Sequence, residues 1–372
     1  MKINCLLLAI SCLSISKINA QINACWKYIS VKNYYSLGIH YNGSLWGWGK
    51  NDKRQLGDGS DQNKSLPTEV DLSKKWKLVY SGYNHSLGIK SDGSLWGWGL
   101  NDNGQLGQGT NYTKIYPVQI DHSNWKSVSA GEYHSLAIKE NGTLWAWGSN
   151  EEGQLGDGTT DDKNKPIKIG NARWKSITAG FNYSMGIQED GTLWGWGNNE
   201  DGQLGTDQFK YSNIPVRIGY SKWKYITSGF DYTLGIQADG SLWAWGYNEF
   251  GQLGDKSNRD KDFPVRIGHS KWKMVAAGEY HSLGIQEDGS LWGWGKNNSG
   301  QVGDGTQVNK NLPVLLDHSQ WKTVSAGFEH SIGIQEDGSL WGWGRNDYGE
   351  LGFGIEFSRN IPTQISTCAV KH

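Results

Sequence analysis

A tryptophan followed by lysine recurs at residues 26, 76, 125, 174, 223, 272 and 321, one interval of 50 residues and then five of 49. A second feature keeps the same register. SLWGWG stands at 44–49, 94–99, 290–295 and 339–344, with TLWAWG at 143–148, TLWGWG at 192–197 and SLWAWG at 241–246. Three tryptophans per unit account for all 21 in the chain, and the seven prolines also fall one to a unit. None is left over for a unique task. A catalytic site needs a unique constellation, whereas a part repeated at this period builds architecture by stacking units on their neighbours. The units are 26–75, 76–124, 125–173, 174–222, 223–271, 272–320 and 321–368.

Within residues 272–320 the run WKMVAAG favours a strand and ends at a glycine, and HSLGIQ alternates apolar and polar residues. EDGS then supplies the Asp-Gly signal of a tight hairpin into LWGWG. Period two places Trp292 and Trp294 on one face, with Leu291 and Gly293 on the other. The glycine-rich loop KNNSGQVGDGT leads to PVLL, whose proline marks an edge strand. Four short strands in each of seven units predict an all-β, seven-bladed propeller with about 49 residues per blade. On this reading the two tryptophans form an apolar surface for blade stacking, and the glycines opposite let the next backbone approach closely.

The first 20 residues read as a secretory leader: Lys2, an apolar run from Cys5 to Ile15, and Ala20 at the end of a cleavage site. The mature chain, 21–372, is then one propeller domain, secreted or periplasmic, beginning at Gln21. It keeps Cys25 and Cys368, one at each end, which predicts a disulfide. In repeat register Cys368 matches Ser319 and Cys25 matches Gln320, so the pair would clasp the ring where its ends meet. Free thiols, or lipidation of Cys25 within INAC (22–25), are the alternatives. With 36 Lys+Arg against 37 Asp+Glu there is no global field for nucleic acid, and no later stretch is apolar enough to span a membrane.

The segment VSAGEYHSLAIKENGTLWAWGSNEEGQLGDGT (128–159) resembles the repeat of the regulator of chromosome condensation family, and the likeness runs from residue 26 to about 365. The resemblance implies a seven-bladed propeller. The family includes a nuclear exchange factor for the GTPase Ran and a plant ultraviolet photoreceptor, and a secreted bacterial inhibitor of β-lactamases is similar in architecture. The leader makes this chain look like a secreted, bacterial-type member. Units of nearly equal length leave no room for the exchange factor's β-wedge. Where the photoreceptor carries its light-sensing tryptophans, this chain has Tyr133, Phe181 or Phe328.

No catalytic constellation emerges. His85, His134, His281 and His330 precede serine at one repeat position but lie in separate blades, where Tyr35, Tyr183 and Tyr232 take the same place; they read as hydrogen-bonding core residues rather than zinc ligands. NDNGQLGQGT (101–110) lacks the acidic ligands of a calcium loop and reads as structural. The lysine after each lead tryptophan, from Lys27 to Lys322, reads as a stem lying over the ring with its ammonium in water.

The informative pair follows the end of the first strand: Asn33-Tyr34, Tyr83-Asn84, Glu132-Tyr133, Phe181-Asn182, Phe230-Asp231, Glu279-Tyr280 and Phe328-Glu329. Each unit has one aromatic and one acidic or amide residue, in varying order, on the rim that also carries the GQLG loops. Exposed aromatics interleaved with carboxylates suit protein recognition. In the photoreceptor and the lactamase inhibitor this class of loop supplies contact aromatics. The expected partner-binding residues are Tyr34, Tyr83, Glu132, Tyr133, Phe181, Phe230, Asp231, Glu279, Tyr280, Phe328 and Glu329. The sequence thus predicts an exported, monomeric, non-enzymatic propeller without a cofactor that binds a protein through one rim. Nucleotide exchange for a small GTPase and carbohydrate binding are the alternatives.

Overall fold

The computed structural model describes residues 25–73 and 75–368; the expected leader lies outside them. The second unit shows the common plan. Antiparallel strands Trp76–Ser81, His85–Lys90, Leu95–Gly99 and Lys114–Asp121 pair in chain order. The first strands line a central channel, and the fourth, carrying the proline, forms the outer edge. That outer strand begins three residues before the proline, not at it, because Lys114 pairs with Gly99 at the exit of the third strand.

Seven such blades form the ring. Two of its junctions are continuous 17-residue strands, Lys163–Ala179 and Lys261–Ala277, so four blades merge pairwise into seven-stranded sheets. Asp71, Asp121 and Asp317 accept a hydrogen bond from the backbone N–H two residues on and break the strand there; glycine stands at that place in the continuous junctions, as Gly170 and Gly268, and also in the interrupted one between Ile218 and Trp223, as Gly219.

Blades stack by unlike faces. Leu37, Ile39, Leu45 and Leu56 of the first blade pack against Trp76, Val79 and Trp98 of the second. Trp26, Ile29, Val31 and Trp48 close the ring in the same way on Ile332, Ile334, Leu340 and Leu351 of the last. Burying one tryptophan ring removes about 150–250 Å² from water, worth about 4–6 kcal/mol before entropy, so the repeated rings dominate the core.

The tryptophans divide their roles more finely than strand periodicity implies. The second of each pair, as in Trp98, is fully buried, and Nε1 of Trp98 donates to the Gln55 carbonyl of the preceding blade at 2.9 Å. The first, as in Trp96, is half-buried and donates to Ser94 Oγ of its own hairpin at 2.8 Å. The lead tryptophan bridges both edge-to-face, Trp76 lying 6.2 Å from Trp96 and 5.6 Å from Trp98. Its ring covers Gly88 of the second strand so closely that a Cβ there would overlap it.

The glycine between the paired tryptophans behaves differently from expectation. Gly47 faces Leu37, Leu56 and Val70 of its own blade rather than a neighbouring backbone, and Ala146 and Ala244 fill the same place fully buried. The close approach between blades occurs in the loop, where Gly57, at φ 77°, lies against Trp98.

The His/Tyr position ties each blade to the next. His85 Nε2 meets Ser135 Oγ at 3.0 Å, His134 meets Ser184 at 2.9 Å, His281 meets Ser331 at 2.9 Å and His330 meets Ser36 at 3.1 Å across the ring closure. Tyr35 and Tyr232 reach Ser86 and Ser282 at 3.0 Å, and Thr233 reaches Tyr183 at 3.1 Å. Each of these serine hydroxyls also donates to a loop carbonyl of the preceding blade, as Ser135 does to Gln105 at 2.8 Å. The histidine Nε2 is therefore the donor. Burial pushes all four of these imidazoles down to about 3, so they are neutral.

The disulfide Cys25–Cys368 joins the ends with a Cα separation of 4.9 Å, beside the hydrogen bond from Trp26 Nε1 to Ser366 Oγ at 3.0 Å. Among the described residues no helix is long and apolar enough to cross a membrane.

Candidate functional site

The first and third strands of each blade finish on one rim, because the start of the second strand pairs with the end of the third, His85 with Gly99 for instance. Two kinds of loop meet there. In the longer one a buried asparagine acts as a clasp. Asn51 Oδ1 accepts the Leu56 N–H at 3.0 Å, and its Nδ2 donates to Asp58 and to the Ser60 and Gln62 carbonyls. These asparagine and glycine positions are structural, as the sequence indicates.

The shorter loops close the channel at the axis. The Phe181 N–H donates to the Phe230 carbonyl at 3.1 Å, that of Glu279 to Gly327 at 3.0 Å and that of Phe328 to Asn33 at 2.9 Å; Asn33 Nδ2 completes the circuit to the Tyr83 carbonyl at 3.0 Å. This ring gives the varying order of aromatic and polar residues its meaning. The first residue of every pair, Asn33, Tyr83, Glu132, Phe181, Phe230, Glu279 or Phe328, lines a narrow axial cavity. The second, as in Tyr34, Tyr133, Asp231, Tyr280 and Glu329, lies outside that lining, toward the longer loops. Residue order therefore decides what occupies the axis.

The expected site residues are brought together, but they are less exposed than their composition implies. Every ring among them is half-buried, and Glu132, Glu279 and Glu329 are each only 8 % exposed. Phe181 stacks on Phe230 at 3.8 Å, Phe230 meets Tyr280 at 5.6 Å, and Tyr83 meets Phe181 at 6.3 Å. Tyr34 packs on Phe328 at 4.7 Å. The rings form a partly exposed shelf around the axis.

Electrostatics follow from this half-burial. Burial pushes Glu132 and Asp231 up to about 7 and Glu279 up to about 8, and neighbouring carboxylates add to each shift. Burial also acts on Glu329, but Lys296 at 2.8 Å and Arg345 at 3.0 Å outweigh it and hold this carboxyl below its ordinary value.

Several rim residues fall outside the sequence expectation. Lys32 replaces the glycine that ends the first strand in the other six units, and its side chain borders the axial cavity; burial lowers its ammonium to about 8, with Glu279 opposing. Tyr247, Phe250 and Tyr348 extend the shelf from the longer loops, Phe250 lying 5.2 Å from Tyr280 and Tyr348 lying 5.2 Å from Tyr34. Their signal was present as aromatics that depart from the repeat in YNEFGQL and NDYGEL. Among the described residues no group of three or more His, Cys, Asp or Glu side chains is placed to hold a metal ion.

The RCC1-like domain profile matches residues 167–372, and the Regulator of chromosome condensation (RCC1) repeat profile matches 42–89, 92–138 and 141–187. Each matched repeat runs from the third strand of one blade to the second of the next, half a blade out of phase with the sheets. No curated protein matches the sequence. Among solved structures, yeast RCC1 (Prp20) bound to Kap60 is similar at TM-score 0.80 and 24% identity, covering 91% of this chain and 85% of that one. A structure of Prp20p from Saccharomyces cerevisiae, described with its binding to Gsp1p and histones, gives TM-score 0.79 and 24% identity over 94% and 89%. Human WBSCR16 gives TM-score 0.76 and 22% identity over 84% and 87%. At these identities the likeness establishes the fold.

Proposed function

Because the chain belongs to the regulator of chromosome condensation repeat family, whose RCC1-like domain profile alone covers residues 167–372, we propose that it is a non-enzymatic propeller that recognises a protein partner through its loop rim. One observation carries this reading. The blades repeat almost residue for residue in their strands, yet the rim pairs vary in identity and order and set half-buried rings beside buried carboxyls around the axis. Large rings held rigid and partly exposed are the anchors that protein interfaces use. Solved relatives support a binding role, since yeast Prp20 is described with Kap60, Gsp1p and histones.

Nucleotide exchange is the weaker reading here, because uniform units leave no place for a wedge insertion between blades. We also read the protein as exported. The leader pattern of residues 1–20 supports this, as does the Cys25–Cys368 disulfide, which is compatible with an oxidising compartment.

The test is a partner captured with the mature chain and then titrated against Phe181→Ala, Phe230→Ala, Tyr133→Ala and Tyr280→Ala. A contact ring costs about 2 kcal/mol or more in affinity, whereas a core ring would cost about 3–5 kcal/mol in stability. Full affinity in all four variants, or a core-sized stability loss in each, would end the rim reading.

A further inference from the structure

The rim divides into two arcs that treat their carboxylates and rings differently. On the arc of blades six, seven and one, the chain supplies its own cations. Lys296 pairs with Glu329 and sits 5.6–5.8 Å over the rings of Phe250, Tyr280 and Phe328. Arg345 pairs with Glu329 and Asp347 and lies 5.1 Å over Tyr34. Lys50 pairs with Asp52 at 3.4 Å and lies 5.5 Å over Tyr348. Glu329, Asp347 and Asp52 there each have a cation of the chain beside them.

On the arc of blades two to five the axial rings and the carboxylates beside them lack such cations, Phe250 at the far end of blade five being the ring that Lys296 reaches from blade six. Glu132 stands beside Tyr133, and Asp231 beside Phe230 on its stack with Phe181. The outer loops add Asp102, Glu151, Glu152, Glu200, Asp201 and Glu249. Among the described residues none of these eight carboxylates has an ion pair within 4 Å, and no lysine or arginine stands in the rim segments 83–84, 101–107, 132–133, 150–156, 181–182, 198–205, 230–231 or 247–253. Lys210, at the outer edge, donates to the Glu200 backbone carbonyl at 3.3 Å. Asp231 has only Gln203 Nε2, at 3.1 Å, as a side-chain donor. A second mark lies at the axis, where blade six adjoins this arc. Glu279 of blade six is 8 % exposed and borders the same cavity as Glu132, Phe230 and Lys32. Among the described residues its Oε2 has no hydrogen-bond partner, and Lys32 and Lys296 act on it without an ion pair within 4 Å.

We propose that this arc receives a basic segment of the partner, whose lysine or arginine side chains occupy on blades two to five the places that Lys296, Arg345 and Lys50 occupy on the other half. The inference rests on the rim reading above and names the chemistry of its partner. A guanidinium or ammonium over the Phe181–Phe230 stack gains from the ring faces and from the adjoining carboxylates together. The half-buried setting keeps this attraction less screened than at an open surface.

The probe is a fluorescein-labelled dodecapeptide of alternating arginine and glycine, with a glutamate–glycine peptide of equal length as its counterpart, titrated at low and at physiological salt. The basic peptide should bind, weaken as salt rises, and lose about tenfold in affinity in the double variant Glu132→Gln/Asp231→Asn. Burial already opposes ionisation of both side chains, so their isosteric amides should leave the fold intact. The opposite-rim variant Glu336→Gln should bind as the unsubstituted protein does. The proposal is overturned if neither peptide binds, if the acidic peptide binds as well, or if the double variant binds unchanged. A captured partner separates this inference from the rim reading. One that loses affinity on Phe181→Ala but ignores Glu132→Gln/Asp231→Asn removes the cationic assignment alone, and one indifferent to both removes the rim reading.

Discussion

Replacing His281 by tyrosine tests the inter-blade ring through its pH dependence. Three blades already place tyrosine at this position, and Tyr232 Oη reaches the His281 carbonyl at 2.6 Å and Ser282 Oγ at 3.0 Å, so a tyrosine at 281 should reach Ser331 in the same way. The substitution should therefore be close to neutral at pH 7.5. Burial holds folded His281 at about 3, against about 6.5 in an unfolded chain. The folded value is the lower one, so the unfolded state binds the extra proton, and the stability this histidine contributes is lost as pH falls through 6.5. At pH 5.0 the unfolded imidazole is about 1.5 units below its midpoint while the folded one is still neutral, which corresponds to about 2 kcal/mol. His281→Tyr removes that loss, and other titrating groups are common to both proteins. The difference in urea unfolding free energy, variant minus parent, should shift by about 2 kcal/mol in the variant's favour between pH 7.5 and 5.0. A difference that stays constant across that range would refute the reasoning.

The lead-tryptophan contact should be as sensitive to one methyl group. In the third blade Ala137 replaces the covered glycine, and Trp125 stands 6.4 Å from Trp147, against 5.7 Å for Trp272 and Trp294 over Gly284. Gly284→Ala should cost about 1–3 kcal/mol in urea or thermal unfolding, and a neutral result would show that the ring moves freely. Replacing Cys25 and Cys368 by serine opens a loop with a sequence separation of 343 residues, and the loop-entropy relation puts the loss at about 6 kcal/mol. An unchanged urea midpoint would mean that the blade-one/blade-seven packing alone closes the ring. His281→Leu, unlike His281→Tyr, removes the donor to Ser331 Oγ and should destabilise by about 1–3 kcal/mol at pH 7.5; equal stability of the two variants would remove the hydrogen-bond ring from the account.

The sequence by itself determined the blade. A 49-residue period, an Asp-Gly hairpin, alternating strands and one proline per unit are local signals, and repetition makes each one self-checking. The end-to-end cysteine match followed from repeat register alone, since a closed ring brings the last unit beside the first. Other features were invisible because they depend on which residues meet across blades. Strand alternation put Trp292 and Trp294 on one face, but only the neighbouring blade buries Trp294 and leaves Trp292 half-covered. The rim pairs showed an aromatic and a polar residue in changing order, and only the ring of loops revealed that the first of each pair faces the axis. The division into a cation-supplied arc and a bare one arises in the same way. Lys296 sits 33 residues before Glu329, and only blade packing brings the two within 2.8 Å. Periodicity reports what each unit must bury, whereas charge compensation is a property of neighbours, and neighbours are assigned when the ring closes.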